Sequence, residues 1–392
     1  MTKQDCDRNV FLYRLHVLFN EPIFWGPILI ASLQKLGRMS LPDIYYCESI
    51  VLMICLTLDI PSGALADVIG RKKTIIIGRF FLLGSILFFA TMTNPLEAWL
   101  GNIFWAIGFS MQSGADNALF YDTLREQGRE NEHKRIEGRL VGNRFLLIAI
   151  CSLATGFLAR INLRLPLFLC IPFVLIPLTA GFFLKEPTRT EHYSAKKQFS
   201  VIRDSALFMR DSVRARWMVA FAALLATTGK VWFFTYNPYF EVVKLGFAEY
   251  GLIFFALNIV AYLSSLHAHK IEQRIGEKNC VIGLVLCLGI PIILMGLVPI
   301  QPFAYLVLVQ NVVRGFMRPF TVDYMNRHAT SRIRATVLSV QSSMANLTSI
   351  VSLAMFGWLT GHSTLLHSLV TLGVMSLSLG WVSYRTYRDK IA

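Results

Sequence analysis

Apolar runs alternate with short polar segments along the whole chain. Crossing the hydrocarbon core of a bilayer takes roughly 20 predominantly apolar residues in a helix. Twelve runs approach that length, at 10–33, 44–65, 74–92, 99–119, 140–159, 165–184, 217–240, 250–266, 281–298, 303–322, 337–359 and 365–384. The pattern therefore predicts an all-α membrane protein with twelve transmembrane helices, because a helix satisfies its own backbone groups in lipid.

The longest polar segment divides these runs into two sets of six. We predict a six-helix bundle over 1–184, a cytoplasmic linker over 185–216 and a second six-helix bundle over 217–392. In the linker, apolar residues alternate with arginines, which fits either a basic amphipathic helix on the membrane surface or a solvated connector. A faint internal repeat places Gly276 206 residues after Gly70, each between two apolar runs. Parallel repeats of this kind predict two pseudo-symmetric halves, as in many transporters.

Composition agrees with a membrane protein. The 392 residues are 54% hydrophobic and 16% charged, with a mean hydropathy of +0.52. The net charge of +14 would favour nucleic-acid binding only if the cations gathered on one soluble face. Instead, 27 Lys and Arg residues lie on alternate polar segments and five on the others. This asymmetry predicts cytoplasmic termini and gives no support for a nucleic-acid partner.

No constellation of catalytic or metal-binding residues stands out. The seven cysteines are scattered without a C-x-x-C, so we expect neither disulfides nor a metal site. His267 and His269 form the one possible metal pair, without nearby carboxylate or cysteine support. No glycine-rich phosphate loop is present either. We therefore expect no cofactor and no enzymatic activity, and an ion or solute gradient as the energy source.

Six cations lie inside the predicted spans, namely Arg14, Arg79, Arg144, Lys230, Arg314 and Arg318. Each costs roughly 2.5–3.5 kcal/mol at the centre of a spanning helix, so each needs a partner, a water-filled cavity or a function. Glu21 lies near the middle of the first span, beside Pro22. We interpret Glu21 as a proton-coupling residue, the alternative being a structural ion pair with Arg14.

The fourth span carries a second polar group. Gln112 and Asp116 are one helical turn apart and share a face. Asp116 is a candidate for proton coupling, with pairing to a loop cation as the alternative, and Gln112 is a candidate for substrate binding.

In the second half the intramembrane charges are positive. Lys230 lies in the seventh span, and Gln310, Arg314 and Arg318 recur at i, i+4 and i+8 in the tenth. Guanidinium groups one turn apart suit a carboxylate or phosphate, which predicts an anion-binding site. The alternative is that Arg314 pairs with an acid on another helix and Arg318 reaches the inner surface. Among the many aromatic residues, Trp25 and Phe234 are candidates for the wall of a substrate pocket.

One segment resembles a known signature. The motif Gly63-x-x-Ala-Asp67-x-x-Gly70-Arg71-Lys72-Lys resembles the signature between the second and third helices of the major facilitator superfamily, and residues 334–339, Arg-Ala-Thr-Val-Leu-Ser, are similar to a second element of that family. The resemblance implies a rocker-switch carrier whose first, fourth, seventh and tenth helices line the cavity. Those spans carry the intramembrane charges described above.

The resemblance also implies roles within the hinge. Asp67 would cap a neighbouring helix of the second half, and Arg71 would pair with an acid at the inner end of the fourth span, Asp116 or Asp122. Two departures weaken a drug-exporter interpretation. Phe104 stands where many members have arginine, and the fifth span lacks a Gly-Pro-x-x-Gly-Gly sequence.

We therefore predict a monomeric secondary carrier of the bacterial inner membrane that couples protons to a small organic solute, anionic or amphiphilic. The alternatives are a multidrug/proton antiporter, a carrier of carboxylate siderophores, and a non-transporting receptor or scaffold. Solute flux would separate the carriers from the scaffold. Competition by lipophilic cations would separate drug export from anion transport.

Overall fold

A computed structural model of the chain describes residues 1–187, 210, 212–328 and 331–391. Most of the predicted linker at 185–216, including the greater part of its candidate amphipathic helix, lies outside the described residues.

Every regular element among the described residues is a helix. The first half contains α1 (Lys3–Leu18), α2 (Leu29–Lys35), α3 (Leu41–Ile69), α4 (Arg71–Thr91), α5 (Pro95–Gln112), α6 (Ala115–Arg125), α7 (His133–Ile161) and α8 (Leu165–Phe183). The second half contains α9 (Val213–Val242), α10 (Phe247–Ile275), α11 (Glu277–Leu297), α12 (Val307–His328), α13 (Ser331–His362) and α14 (Leu365–Lys390). Single 3₁₀ turns occur at Gly26–Ile28 and Glu130–Glu132, and a longer one at Gln301–Leu306.

Helix boundaries follow local chemistry. The side chains of Asn94, Ser212 and Thr364 accept hydrogen bonds from the first-turn amides of α5, α9 and α14, which the preceding chain cannot satisfy. Gly70 and Gly276 separate α3 from α4 and α10 from α11 with φ of 107° and 82°. Glycine is favoured at both breaks because other residues rarely adopt positive φ.

The N-terminus of α1 is fixed to the chain that leaves α8. Thr2 and Asp5 form a capping box, and Lys185 Nζ lies 2.6 Å from Asp5 Oδ2. This bond from Lys185 lowers the pKa of Asp5 below its ordinary value. Asn9 adds hydrogen bonds to both backbone groups of Lys185, at 2.8 and 2.9 Å.

Among the described residues, nine helices are long and apolar enough to cross a membrane. They correspond to nine of the twelve predicted spans. The remaining three are the first, the fourth and the tenth. The first and fourth are each divided into two shorter helices, and α12 carries two arginines at depth. The resemblance had implied that these same three spans, with the seventh, line a cavity.

The chain forms two compact units. One contains Met1–Ser40, Ile50–Tyr193 and Gly246–Phe255, and the other Leu41–Ser49, Ser194–Leu245 and Ala256–Ala392, each only as far as its residues are described. We call them unit 1 and unit 2. The first turns of α3 thus belong to unit 2 and the rest of α3 to unit 1. The first turns of α10 belong to unit 1 and the rest of α10 to unit 2. The predicted domain boundaries at 184 and 217 stay a prediction.

Each unit has its own core, and small residues let its helices approach closely. In unit 2, Trp217 stacks on Phe221 and contacts Tyr324 and Tyr387. In unit 1, α7 and α10 meet at Gly156 and Gly251, where a Cβ on Gly156 would lie 2.8 Å from the Cα of Gly251. Close approach at small residues is a common way for helices to pack in lipid, where no hydrophobic gain drives them together.

Candidate functional site

The first predicted span is broken near its middle. α1 ends at Leu18 and α2 begins at Leu29, with a 3₁₀ turn at Gly26–Ile28 between them. Pro22 and Pro27 explain the break, because proline lacks the amide that would continue the helical hydrogen-bond ladder. A break at this depth leaves backbone carbonyls that must find partners within the protein.

Arg79 of α4 supplies those partners. Its side chain is fully buried, and its Nη1 donates to the carbonyls of Phe19 and Asn20, each at 3.3 Å. Its Nη2 donates to the carbonyl of His16 at 3.2 Å and to the side chain of Asn20 at 3.1 Å. One guanidinium therefore satisfies the unwound end of α1. The sequence revealed Arg79 only as a cation at depth, because its partners lie about 60 residues away.

The same cation lies beside a histidine and an acid. Nη2 of Arg79 is 3.0 Å from both ring nitrogens of His16, and Nε2 of His16 is 3.5 Å from Asp116 Oδ2. In the neutral imidazole with Nε2 protonated, Nε2–H faces Asp116 and the lone pair of Nδ1 faces the Arg79 guanidinium. Asp116 therefore faces His16 of α1, and both its proton-coupling role and its alternative pairing with a loop cation stay predictions.

Asp116 also lies at a break, in the fourth span. α5 ends at Gln112 and α6 begins at Ala115, with Gly114 at a φ of 84° between them. Asp116 stands in the first turn of α6, where the helix dipole stabilises a carboxylate. Gln112 is buried and donates to the carbonyl of Gly108 at 2.9 Å, whereas its Oε1 has no partner among the described residues.

Glu21 lies within the break of the first span. Its Oε1 is 2.9 Å from Nη2 of Arg144 on α7, and both side chains are about one third exposed (33% and 29%). The sequence alternative of an ion pair with Arg14 named the wrong cation, because Arg14 is exposed on α1 and Arg144 holds the carboxylate. Glu21 and Arg144 thus form a partly exposed ion pair at the break of the first span.

Aromatic side chains form a cluster beside the break of the first span. Trp25 is half-buried and contacts Phe89 and Trp105, with ring centroids 5.8 and 6.1 Å apart. Trp105 in turn stacks on Phe109. The predicted pocket residue Trp25 therefore belongs to an aromatic cluster that flanks the break.

In unit 2, Lys230 has an acidic neighbour that the sequence analysis overlooked. Glu48, in the first turns of α3, is 8% exposed and interacts electrostatically with Lys230 of α9. Hydrogen bonds from neighbouring residues fix this part of α3, one between Tyr45 and Thr235 at 2.8 Å and one from Ser49 to the carbonyl of Ile350 at 2.9 Å. Glu48 was missed because it lies in an apolar run and pairs with a residue 182 positions away.

The predicted stripe on α12 divides into buried and exposed residues. Gln310 is 3% exposed, and neither atom of its side-chain amide has a partner among the described residues. Arg314 is exposed and donates to Asn311 at 3.4 Å, and Asn311 donates to Tyr236 at 3.0 Å. Arg318 is also exposed. Phe234, the other predicted pocket residue, is buried on α9.

The hinge motif of unit 1 joins three parts of the chain. Arg71, the first residue of α4, forms an ion pair with Asp122 of α6 and donates to the carbonyl of Ala118 at 2.9 Å. Asp122 is one of the two acids expected for this contact. Gly63 lies within α3, with nothing near the position of a Cβ, and Asp67 lies one turn further on, partly exposed.

An acid outside the motif completes this hinge. The carboxylate of Glu186 accepts from the backbone amides of Arg71 and Lys72 at 2.8 and 2.7 Å, and so caps the N-terminus of α4. Lys72 Nζ donates to the carbonyl of Phe182 at the C-terminal end of α8, at 2.7 Å. Glu186 could not be identified from sequence patterns, because it follows α8 and lies more than 110 residues from the helix that it caps.

The corresponding hinge of unit 2 has its charges exchanged. Glu277 is the first residue of α11, as Arg71 is the first residue of α4. Arg327 on α12 corresponds to Asp122 on α6, which lies 205 residues earlier in the chain. Arg327 lies 3.5 Å from Glu277 and 2.8 Å from Asp323, and it is also paired with Glu272 of α10. The internal repeat thus keeps an ion pair across the hinge but reverses its polarity.

A possible metal-binding cluster occurs at this second hinge. The ligand atoms of His269, Glu272 and Asp323 lie within 4.8 Å of one another. Arg327 already binds both of these carboxylates. We therefore interpret the cluster as part of the ion-pair network and assign it no metal.

Together these features define the structural class of the protein. The chain is an all-helical, multi-pass membrane protein whose broken and charged spans hold polar groups at depth, and whose two units repeat a glycine hinge with an ion pair. The family model described as Major Facilitator Superfamily matches residues 56–353. The chain belongs to the Major Facilitator Superfamily. Its fold is the fold of that family, and it is a membrane transporter of small molecules, a carrier and not an enzyme.

Similar proteins agree with this assignment. An uncharacterized MFS-type transporter, YxaM of Bacillus subtilis (strain 168), is 24% identical over 344 residues, which cover 82% of each chain. The solved structure of a nucleoside transporter, NupG, has a TM-score of 0.77 at 14% identity and covers 98% of this chain and 100% of its own. That of a D-xylose-proton symporter has a TM-score of 0.70 at 16% identity and covers 96% of each chain. At these identities the solved structures show the fold alone.

Proposed function

We propose that the chain is a proton-coupled secondary carrier of a small organic anion, located in a bacterial inner membrane with both termini in the cytoplasm. The observation that carries this proposal is the ion pair between Glu21 and Arg144 at the break of the first span. A carboxylate at this depth is costly unless it serves structure or function. Here it stands where the backbone is unwound and is one third exposed, so that water can reach it.

The pair suggests how a proton and an anion could be coupled. When Glu21 binds a proton its carboxylate becomes neutral, and its bond to Arg144 loses its charge-assisted character. The guanidinium of Arg144 then carries a positive charge that an anionic solute can neutralise. Loss of the proton would restore the ion pair and expel the solute. Proton and anion would in this way move together.

Unit 2 carries its own candidate groups for an anion. Arg314 and Arg318 are exposed one turn apart on α12, and the amide of Gln310 lies one turn before Arg314 without a partner among the described residues. A buried amide without a partner is uncommon and supports a role in binding water or a ligand. Lys230 is a weaker candidate for the anion, since Glu48 already lies in its electrostatic range.

The hinges would serve the change of conformation. In this proposal Arg71 and Asp122 latch unit 1, Asp67 takes the capping role that the resemblance implies, and Glu277 and Arg327 act as the charge-exchanged latch of unit 2. Both ion pairs lie next to a glycine with positive φ, where the chain already departs from helical geometry.

Transport by purified protein in liposomes with an imposed pH gradient tests the coupling. Uptake of labelled organic acids is expected to follow the gradient in the wild type and to lose this dependence in Glu21→Gln. The matched control is Glu130→Gln, an exposed acid outside the spans, which should retain wild-type uptake. If Glu21→Gln transports with an unchanged response to the pH gradient, the coupling assignment is wrong.

Competition tests the charge of the solute. Carboxylates should compete with a transported acid, whereas their neutral amides should compete far less. Arg314→Gln is expected to reduce this discrimination, with Arg274→Gln, an exposed arginine at the end of α10, as the control. Equal competition by acids and amides in the wild type would overturn the anion assignment.

Export of aromatic amphiphiles is the second candidate. The contact of Trp25 with Trp105 and Phe89 favours it, because aromatic walls bind flat apolar solutes. Lipophilic cations should then be transported, and Trp25→Ala should weaken that transport more than the transport of small acids.

A further inference from the structure

A cavity of about 630 Å³ lies in unit 2. Its walls come from α9, α13 and α14. α9 packs against both other helices, whereas α13 and α14 have few contacts with each other, which leaves a groove with α9 as its floor. The lining of α9 extends from Val213 to Thr228, about 22 Å at 1.5 Å per residue. The groove is therefore longer than half of a hydrocarbon core of roughly 30 Å.

The walls of this groove are apolar in effect although they contain hydroxyl groups. Thr348, Ser376 and Thr386 each donate to a carbonyl four residues earlier in the same helix, at 2.8, 2.7 and 3.0 Å. Leu379 and Val382 expose their hydrocarbon to it, at 53% and 61%. The donors of these three hydroxyls are already used and most of the remaining lining is apolar, so the groove suits a hydrocarbon chain.

One end of the groove carries positive charge. Arg216 lines that end, beside Val213 and Thr386, and Arg214 is exposed next to it, with a bond to the carbonyl of Ile391. The other end, formed by residues 344–352 of α13 and 372–379 of α14, contains no charged residue. The lining is thus cationic at one end and apolar along the rest of its length.

We propose that this groove binds one anionic phospholipid, with its phosphate at Arg216 and one acyl chain along α9 between α13 and α14. Charge complementarity selects the headgroup, since Arg216 and Arg214 place positive charge at the end of the groove where the phosphate would lie. The depth and the mostly apolar lining of the groove select the chain. The proposal depends on the membrane location of the fold and not on the solute or the coupling proton.

A photoreactive phospholipid tests the position of the chain. Wild-type protein in nanodiscs is labelled with phosphatidylglycerol that carries a diazirine on its acyl chain, and the adducts are mapped by peptide mass spectrometry. Adducts are expected to concentrate on the groove-facing residues of α9, α13 and α14. Adducts spread evenly over the lipid-facing residues of both units would overturn the proposal.

Two variants test the headgroup and the chain separately. Phosphatidylglycerol and phosphatidylcholine with the same chains compete for the protein, and native mass spectrometry counts the bound lipid. Arg216→Gln is expected to lower the preference for phosphatidylglycerol about fivefold, the effect of one cation near an anionic lipid surface. Arg274→Gln is the control and should leave the preference unchanged.

Ala220→Phe places a ring in the floor of the groove and should reduce the binding of both lipids. Val351→Phe, on the exposed face of α13 outside the groove, is its control. Retention of lipid preference by Arg216→Gln, or equal lipid binding by the two phenylalanine variants, would contradict the proposal. If Ala220→Phe does not fold, the adduct map and Arg216→Gln still decide the question.

Discussion

Replacing Arg79 by lysine should destabilise unit 1 although the charge is kept. The guanidinium of Arg79 binds four oxygens from two nitrogens, namely the carbonyls of His16, Phe19 and Asn20 and the side chain of Asn20. A lysine has a single nitrogen with three donors and cannot span the same acceptors. A single ammonium reaches the acceptors of one guanidinium nitrogen but not those of the other, so two bonds are lost. At about 1.5 kcal/mol for each charged hydrogen bond, this loss costs about 3 kcal/mol.

The matched control is Arg164→Lys. Arg164 performs the same task at the C-terminus of α4, where it donates to the carbonyls of Ala90 and Met92 at 2.8 and 2.7 Å. Arg164 is only half-buried, so water can replace a lost bond. We expect a cost of about 1 kcal/mol or less for this variant.

Thermal unfolding of the purified protein, followed by a thiol-reactive dye or by scattering, measures both variants. For a unit of about 200 residues, each kcal/mol corresponds to roughly 2–4 °C in Tm, so Arg79→Lys should lower Tm by about 6–12 °C. Arg164→Lys should lower it by about 2–4 °C or less. Equal shifts would refute the argument that a buried guanidinium caps the broken end of α1.

Three further outcomes follow from the hinge and from the N-terminus of α1, each read as Tm. Gly70→Ala should lower the free energy of unfolding by about 1–2 kcal/mol, because alanine rarely adopts positive φ. Gly63→Ala, inside helix α3, should raise it by about 0.5–1 kcal/mol. A rise for both variants would contradict this reasoning. Glu186→Ala should cost about 1 kcal/mol by removing the cap of α4. The bond from Lys185 lowers the pKa of Asp5 in the folded protein, so it stabilises the fold at pH values above the ordinary pKa of a carboxyl group. Lys185→Ala should therefore lower Tm at pH 7, and the difference from wild type should shrink progressively as the pH falls below about 4.

The difference between twelve predicted spans and nine apolar helices has a physical cause. A hydropathy pattern measures the composition of a run but not the continuity of its helix. The first span breaks at Pro22 and Pro27, whereas the fourth breaks at Ser113 and Gly114 without a proline. The first and fourth spans fall short because each is divided into two shorter helices, and the tenth because α12 carries several charged residues.

Ion pairs depend on how neighbouring helices are rotated about their axes. The sequence identified Glu21 and Arg144 as intramembrane charges, but only the fold places them 2.9 Å apart, with Arg14 exposed elsewhere. For the same reason the acid beside Lys230 and the cap of α4 by Glu186 were missed.

By itself the sequence determined the membrane location, the helical class, the family and the hinge motif. These properties follow from local quantities, namely the length of apolar runs, the distribution of cations and a contiguous signature. Only the tertiary structure decided that Arg79 closes the break of α1, that the two hinges carry opposite charge, and that α13 and α14 separate to open a groove. Each of these depends on contacts between segments far apart in the chain, and such contacts are set by helix packing and rotation.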